Sequence, residues 1–326
     1  MIDLLVVGGG PAGLEVVVVE RRSGPIDKAC GEGLMPHTLR HLGRLGVHPY
    51  GRPFRGISYH DANRHVDAPF QRGSGHGVRR TVLHGALLDA AASAGVRICH
   101  WEVGEISQDA ASVRAGNWRA RYLAAADGLH SPIRRSLGLE RPSPGPRRWG
   151  IRRHVQIAPW SDHVEVHWAA GAEAYVTPIA DDCVSVALLK SRRGGFDTHL
   201  EEFPALRDRI SGRPHEPDRA AGPLRQRVSS RTVGRVMLVG DAAGYIDALT
   251  GEGLGLAFGA AELLVNSVVA DQPGAYDRRW RQMTRRYRML TAALLQASSH
   301  ATVRSGIVPA AQAMPNVFGR AVNLLC

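Results

Sequence analysis

The stretch from Ile2 to Glu20, IDLLVVGGGPAGLEVVVVE, decides the fold. Ile2 to Val7 is an unbroken apolar run of β type that ends on Gly8-Gly9-Gly10-Pro11-Ala12-Gly13. A continuous apolar strand belongs in the centre of a parallel sheet, covered on both faces. The glycines match G-x-G-x-x-G directly after a strand. That pattern lets a backbone come close to a pyrophosphate while the helix behind it turns its first amides toward the charge. Glu15 to Glu20, with four consecutive valines, reads as the second strand. Glu20 at its end is placed to accept hydrogen bonds from a ribose hydroxyl. A glycine turn inside a β-hairpin is the competing reading of the same residues.

The spacing within this stretch departs from the motif. Gly13 to Glu20 is a step of 7 residues, where the motif expects about 20, and a parallel crossover takes a dozen residues or more. Fully stretched, Gly8 to Leu14 spans at most about 25 Å. Returning past a five-residue strand needs about 17 Å along it and about 5 Å sideways. Two arrangements follow: a taut return to parallel pairing without a helix, or a hairpin. Either is expected to strip one sheet face of its cover. Losing the burial of about four large apolar side chains costs roughly 6–12 kcal/mol, comparable to the stability of a whole domain. Because Glu15 onward is an intact second strand, the gap reads as a segment deleted from a complete ancestor.

Working outward, Thr81 to Ala94 has helical spacing and is followed by Gly95; Val96 to His100 and Trp118 to Ala126 read as further strands. From about Trp149 the texture changes. His154 to Ile157, Val164 to Trp168, Ala174 to Ile179 and Cys183 to Leu189 alternate apolar and polar residues between turn residues, which predicts an antiparallel sheet with one wet face. Arg235 to Val239 returns to the buried-strand pattern, and helices follow over Gly253 to Ala270 and Tyr276 to Ser299. The expected architecture is α/β: a Rossmann-like nucleotide-binding domain in two parts, 1–147 and 229–275, an inserted antiparallel-sheet substrate domain, 148–228, and a C-terminal helical segment, 276–326.

Two more motifs sit at strand ends. Ala125-Ala126-Asp127-Gly128 leads into Ser131-Pro132, a serine-capped helix start. Gly240-Asp241-Ala242-Ala243 follows a buried strand and is succeeded by Thr250-Gly251-Glu252-Gly253. An aspartate there faces a sugar-like polyol, and a tight glycine turn opens the next helix. Taken in this order, the three motifs resemble the p-hydroxybenzoate hydroxylase-like superfamily of FAD-dependent oxidoreductases, and within it the geranylgeranyl-reductase-like branch. The resemblance covers about residues 1–270 and rests also on Cys30-Gly31-Glu32-Gly33-Leu34 and on Arg80 in Gly77-Val78-Arg79-Arg80-Thr81. Ala248 stands where the family pattern has a proline, and the crossover helix is missing.

The resemblance implies FAD as cofactor, with NAD(P)H as a candidate electron donor. The residues it assigns to FAD are Gly8, Gly10, Gly13, Glu20, Arg80, Asp127, Gly128, Asp241, Gly251 and Gly253. Cys30 is a weak catalytic candidate near the flavin, equally readable as a small buried thiol. The implied reaction is monooxygenation or alkene reduction of an apolar or aromatic, lipid-like small molecule. The alternative is a non-catalytic remnant that binds FAD weakly or not at all.

Composition narrows the partners. Lysine and arginine number 41 against 30 acidic residues, a formal net charge of +11, and Lys28 and Lys190 are the two lysines. The arginines are spread along the chain, so no nucleic-acid function is expected. Tyr276 to Arg288, YDRRWRQMTRRYR, holds six arginines against one aspartate and is a candidate for peripheral contact with an anionic membrane. Four scattered cysteines without a CxxC pair fit a reducing cytoplasm. His163, Glu165 and His167 share one face of a strand, read as a cavity lining rather than a metal site.

Overall fold

The computed structural model describes residues 1–8, 16–145 and 147–324. Gly10 and Gly13 therefore lie outside the described residues. Five parallel strands form the heart of the largest sheet, in the order Val236–Leu238, Trp118–Ala125, Ile2–Val7, Val16–Val19, Arg97–Cys99. Counted by position in the chain, this order is 5-4-1-2-3, the arrangement of dinucleotide-binding folds. An antiparallel meander, Ile106–Gln108 and Val113–Ala115, joins the start of Trp118–Ala125, and Thr232–Val233 closes the far edge.

The first two strands pair in parallel, Leu4 opposite Val16 and Val7 opposite Val19. That rules out the hairpin. Because pairing begins only at Leu4, the chain has to come back about 13 Å along the strand and about 5 Å across. Eight steps from Gly8 to Val16 reach about 26 Å, so the ends are not as taut as a five-residue strand would require. The expected bare sheet face is also corrected. Val16, Val17, Val18 and Val19 are 0–4% exposed. They share one core with Ala91 and Val96 at the end of helix Arg80–Ser93, with Val113 and Ala115 of the meander, and with Ala260, Leu264 and Val268 of helix Gly253–Val269. The valines are thus part of the main core rather than an exposed sheet face.

The second sheet has seven strands, in the order Arg219–Ala221, Trp149–Gln156, Cys183–Lys190, Ala172–Ala180, His163–Trp168, Gly56–His60, His65–Pro69. All its pairings are antiparallel except that of His163–Trp168 with Gly56–His60. A hairpin from the N-terminal third of the chain thus completes the sheet. The expectation of one wet face is not met: seven of the eight residues of Cys183–Lys190 are buried. One face carries Ile151, Val155, Val186 and Leu188 and is capped by helices Phe196–Leu200 and Pro204–Ile210. The polar positions on strand Trp149–Gln156, Arg152 and His154, meet segment 27–32 of the nucleotide-binding half. Alternation therefore marks a polar protein–protein seam here, not a solvent face. At the other end, Phe318 and Val322 of helix Pro315–Asn323 pack with Val66 and Ala68.

Leu5 is fully buried between Val17 and Leu123. Leu5→Ala is expected to lower the unfolding free energy by about 2–5 kcal/mol. The exposed Val269, changed to Ala, should shift it by no more than about 0.5 kcal/mol. Urea denaturation of the two variants checks this; equal midpoints would refute the placement of the first strand at the sheet centre.

Candidate functional site

The parallel order sends every strand's carboxyl end to one edge. Gly8 follows the first strand, Glu20 the second, Asp127-Gly128 the fourth and Gly240-Asp241 the fifth. The ladder runs to that edge: Gly8 N–H donates to Val19 O at 3.0 Å, Glu20 N–H to Cys99 O at 3.0 Å and Val239 N–H to Ala125 O at 3.0 Å. Strand order reverses between the first and fourth strands, and the crevice outside such a switch point is where open α/β sheets bind ligands. Gly8 stands at it with φ +98°, and a Cβ there would lie 2.4 Å from Ala126 O. Only glycine lets the first strand end this close to the fourth.

Several polar groups at this edge have no protein partner among the described residues. Asp127 Oδ2 accepts from Ile133 N–H at 3.1 Å, while its Oδ1 is buried and unpaired. Burial pushes this carboxyl above the usual range, against the donors Ser131 and Ile133. Asp241, in the single turn Gly240–Ala243, makes no side-chain hydrogen bond among the described residues. Burial raises its pKa too, opposed by Arg80, Lys28 and Arg134. Arg80 opens helix Arg80–Ser93; its N–H donates to Glu32 Oε1 at 2.8 Å, and its Nε is buried without an acceptor. Glu20 accepts from Arg22 N–H at 3.1 Å and Nε at 3.3 Å through one oxygen, Oε1.

These orphaned atoms test the cofactor. A dinucleotide with a ribose hydroxyl at Glu20, a polyol at Asp241 and acceptors for Arg80 would complete the missing bonds, so the residues present fit FAD. Gly251, at φ +71°, closes the turn before helix Gly253–Val269, whose first amides have no side-chain cap. Beside it, buried Glu252 pairs with His37 at 2.9 Å.

Arg134 fixes the two acidic turns against each other. It is 1% exposed; its Nη1 donates to Ala242 O at 3.2 Å, and its Nη2 to Leu129 O and Gln226 Oε1, both at 2.9 Å. One planar fork thus ties the loop after the fourth strand to the turn after the fifth. Sequence reading had singled out the aspartates and passed over this arginine, which no local pattern marks.

A second group went unread. Glu32 is buried at φ +60°; its Oε2 lies 2.6 Å from His154 Nε2, and His154 Nδ1 lies 2.8 Å from Glu216 Oε2. Arg79 pairs with Glu216, and Arg152 with Asp27. Thr177 Oγ1 donates to Gly31 O at 2.8 Å. The Cys30–Gly33 segment is therefore stitched to the second sheet. Cys30 Sγ accepts from Glu32 N–H at 3.4 Å, and burial pushes its thiol up, partly offset by Arg80.

His163, Glu165 and His60 line an open groove of about 580 Å³ with Arg52, Asp67 and Trp160. Glu165 is held by His167 Nε2 and Trp160 Nε1, both at 2.9 Å. Helix Pro273–Ser298 buries Tyr276, Trp280, Thr284 and Tyr287 and turns Arg278, Arg281, Arg285 and Arg286 outward. Among the described residues no helix is long and apolar enough to cross a membrane.

A family model described as an FAD binding domain matches residues 1–181. The menaquinone reductase of Mycobacterium tuberculosis is 28% identical over 324 residues, covering 80% of this chain and 76% of that protein. A 3-(3-hydroxy-phenyl)propionate/3-hydroxycinnamic acid hydroxylase of a Mycobacterium species is 27% identical over 299 residues, covering 77% of this chain and 51% of that protein. Among solved structures, a triple mutant of the flavin-dependent brominase Bmp2 has a TM-score of 0.82 at 15% identity, covering 100% of this chain and 94% of the other. A flavoprotein/dehydrogenase from Cytophaga hutchinsonii has a TM-score of 0.78 at 19% identity, with 99% and 96% covered. The two structures speak to the fold alone.

Arg134→Met is expected to lower the unfolding free energy by about 3 kcal/mol or more, because one buried and two half-buried acceptors lose their donor. The exposed neighbour Arg135, changed to Met, should cost no more than about 0.5 kcal/mol. Denaturant titration distinguishes them; indistinguishable midpoints would remove Arg134 from its joining role.

Proposed function

Since the chain belongs to the family of FAD-binding-domain oxidoreductases, we propose that it is an FAD-dependent reductase of the geranylgeranyl-reductase-like branch, acting on an apolar, lipid-like substrate such as an isoprenoid quinone. The observation that carries this reading is the pair of buried atoms without a partner among the described residues, Asp127 Oδ1 and Arg80 Nε, beside the Asp241 carboxyl at the carboxyl edge of a sheet in dinucleotide-fold order. The substrate class is supported by the menaquinone named for the mycobacterial relatives, which match over most of both chains. NAD(P)H is the proposed electron donor.

FAD supplies the two-electron chemistry, and the protein's share is to bind, orient and enclose. Glu20 would hold the adenosine ribose, Asp241 the ribityl hydroxyls, and Arg80 an acceptor along the cofactor. Glu32, locked between Arg80 N–H and His154, keeps the Cys30–Gly33 segment fixed as a wall between the sheets. We further propose that the eight residues between Val7 and Val16 carry no crossover helix, as their number supports.

The test is colour and turnover. Purified protein is expected to show a flavin absorption spectrum, with Asp241→Ala weakening FAD affinity about 10- to 100-fold. NAD(P)H should bleach the bound flavin, and a menaquinone should restore its colour without oxygen. Restoration only by oxygen, with an oxygenated product, would assign a monooxygenase. A colourless protein that stays apo with added FAD would make it a non-catalytic remnant.

Contact with an anionic membrane through residues 276–288 belongs to the same proposal. Arg278, Arg285 and Arg286 face outward without an acidic partner among the described residues, and each basic residue near an anionic surface contributes about 1 kcal/mol. The protein should pellet with phosphatidylserine vesicles at low salt, and the triple change of these arginines to Gln should abolish this. No pelleting of the unaltered protein at low salt ends the idea.

A further inference from the structure

The nucleotide-binding edge has a cation that no acidic side chain bonds directly among the described residues. Lys28 is one of two lysines in the chain. Its Nζ lies 3.6 Å from where a Cβ on Gly128 would be, so the ammonium stands over the turn at the switch point. Among the described residues its Nζ makes no hydrogen bond and no ion pair. It lies within the fields of Arg22 and Arg80, which are like charges, and of Asp241 and Glu20, which are opposite ones. The side chain as a whole is exposed, yet burial of the ammonium is the largest cause of its lowered pKa, followed by the two arginines. Lys28, Arg22 and Arg80 crowd three cations at this edge; Glu20 Oε1 is already held by Arg22, and the Lys28 ammonium has no directly bonded anion among the described residues, so like-charge repulsion stays partly uncompensated. An anionic ligand placed there would relieve it.

The ligand's own connectivity says which anion. In FAD the diphosphate lies between the adenosine ribose and the ribityl chain. Glu20 ends the second strand and Asp241 follows the fifth, on either side of the Gly8–Gly128 switch point. A side chain that feels both carboxylates and sits over Gly128 stands where the diphosphate has to pass. In most dinucleotide sites that charge rests on a glycine loop and the first amides of the crossover helix. Here only seven residues separate Gly8 from Val16, too few for a glycine loop and a full helix.

We propose that Lys28, assisted at longer range by Arg22, binds the FAD diphosphate in place of the crossover helix N-terminus. This rests on the FAD reading above and deepens it. The lysine's long stem lets a point charge reach a phosphate oxygen from the loop after the second strand, with no demand on the short connection.

The test is FAD affinity, read by quenching of flavin fluorescence, for the full chain and for Lys28→Met and Lys28→Arg. Lys28→Met is expected to raise Kd about 10- to 100-fold and to flatten the salt dependence of binding. Lys28→Arg should stay within about threefold. Because the Lys28 ammonium makes no bond among the described residues, the unfolding midpoints of the apo proteins should coincide. Changing Arg213, an exposed cation beyond helix Pro204–Ile210, to Met should leave Kd unchanged. If the unaltered chain binds FAD and Lys28→Met binds it equally well with the same salt dependence, the proposal falls and the FAD reading stands. If the unaltered chain binds no FAD at all, both fall.

Discussion

Parallel pairing of Ile2–Val7 with Val16–Val19 is the constraint on which the rest of the structure depends. Parallel neighbours put both carboxyl ends at one edge, whereas a hairpin would have sent Glu20 to the opposite edge from Gly8. Once these two strands agree in direction, Trp118–Ala125 and Val236–Leu238 add in the same sense, and the acidic turns after them arrive beside Gly8. The pairing survives an eight-residue link because the second strand is short. Four valines need a return of about 13 Å, and their side chains are buried in the main core. The sheet gives up strand length rather than cover.

The second constraint is charge. Facing the nucleotide-binding half, the second sheet presents Arg152 and His154, and each meets a carboxylate across the seam. Buried charges without partners cost several kcal/mol each, so this interface admits only one alignment in which the charges match. A second cluster, Arg148 and Arg304 around Glu173 with Asp247 beside Arg148, does the same between the second sheet, the Gly-Asp turn region and the C-terminal helices. Asp247, pushed up to about 6 chiefly by burial, shows how far from water that cluster lies. Specific alignment matters because the cofactor edge and any substrate space between the sheets are shaped by both halves.

Much of this was legible in the sequence. The strand–glycine loop, Asp127-Gly128 and Gly240-Asp241 each ended a β-type run, and the structure brings those run ends to one edge. Helices Arg80–Ser93 and Gly253–Val269 lie within a residue of their periodic patterns. What could not be read has a common cause. Strand periodicity says that a polar residue faces away from one core, and it cannot say whether water or another protein layer lies there. Hence the alternation predicts a wet face for the antiparallel sheet, whereas Arg152 and His154 turn out to be buried partners of Asp27 and Glu32. The burial of the valines was not legible either, because the core they join also draws on residues far along the chain, such as Val236 and Leu264. Arg134 and Lys28 carried no signal because their meaning lies in what converges on them, and convergence is a property of topology rather than of any local window.

The same topology divides the work of holding a dinucleotide between backbone and side chains. Close approach needs the absence of a side chain, and Gly8 provides it where the first strand ends beside the fourth. Charge neutralisation needs a positive end, and a crossover helix supplies that through its amides only when the chain is long enough to build one. Polyol recognition needs acceptors at fixed separation, and the Arg134 fork sets that separation by tying Leu129 O and Ala242 O to one rigid plane. The three tasks are separable: the close approach at Gly8 and the carboxylates at Asp127 and Asp241 are placed by the sheet order and do not depend on how the first connection is built. A site of this kind can change the source of its positive charge without changing its fold, because sheet order, rather than the crossover helix, decides where the edge lies.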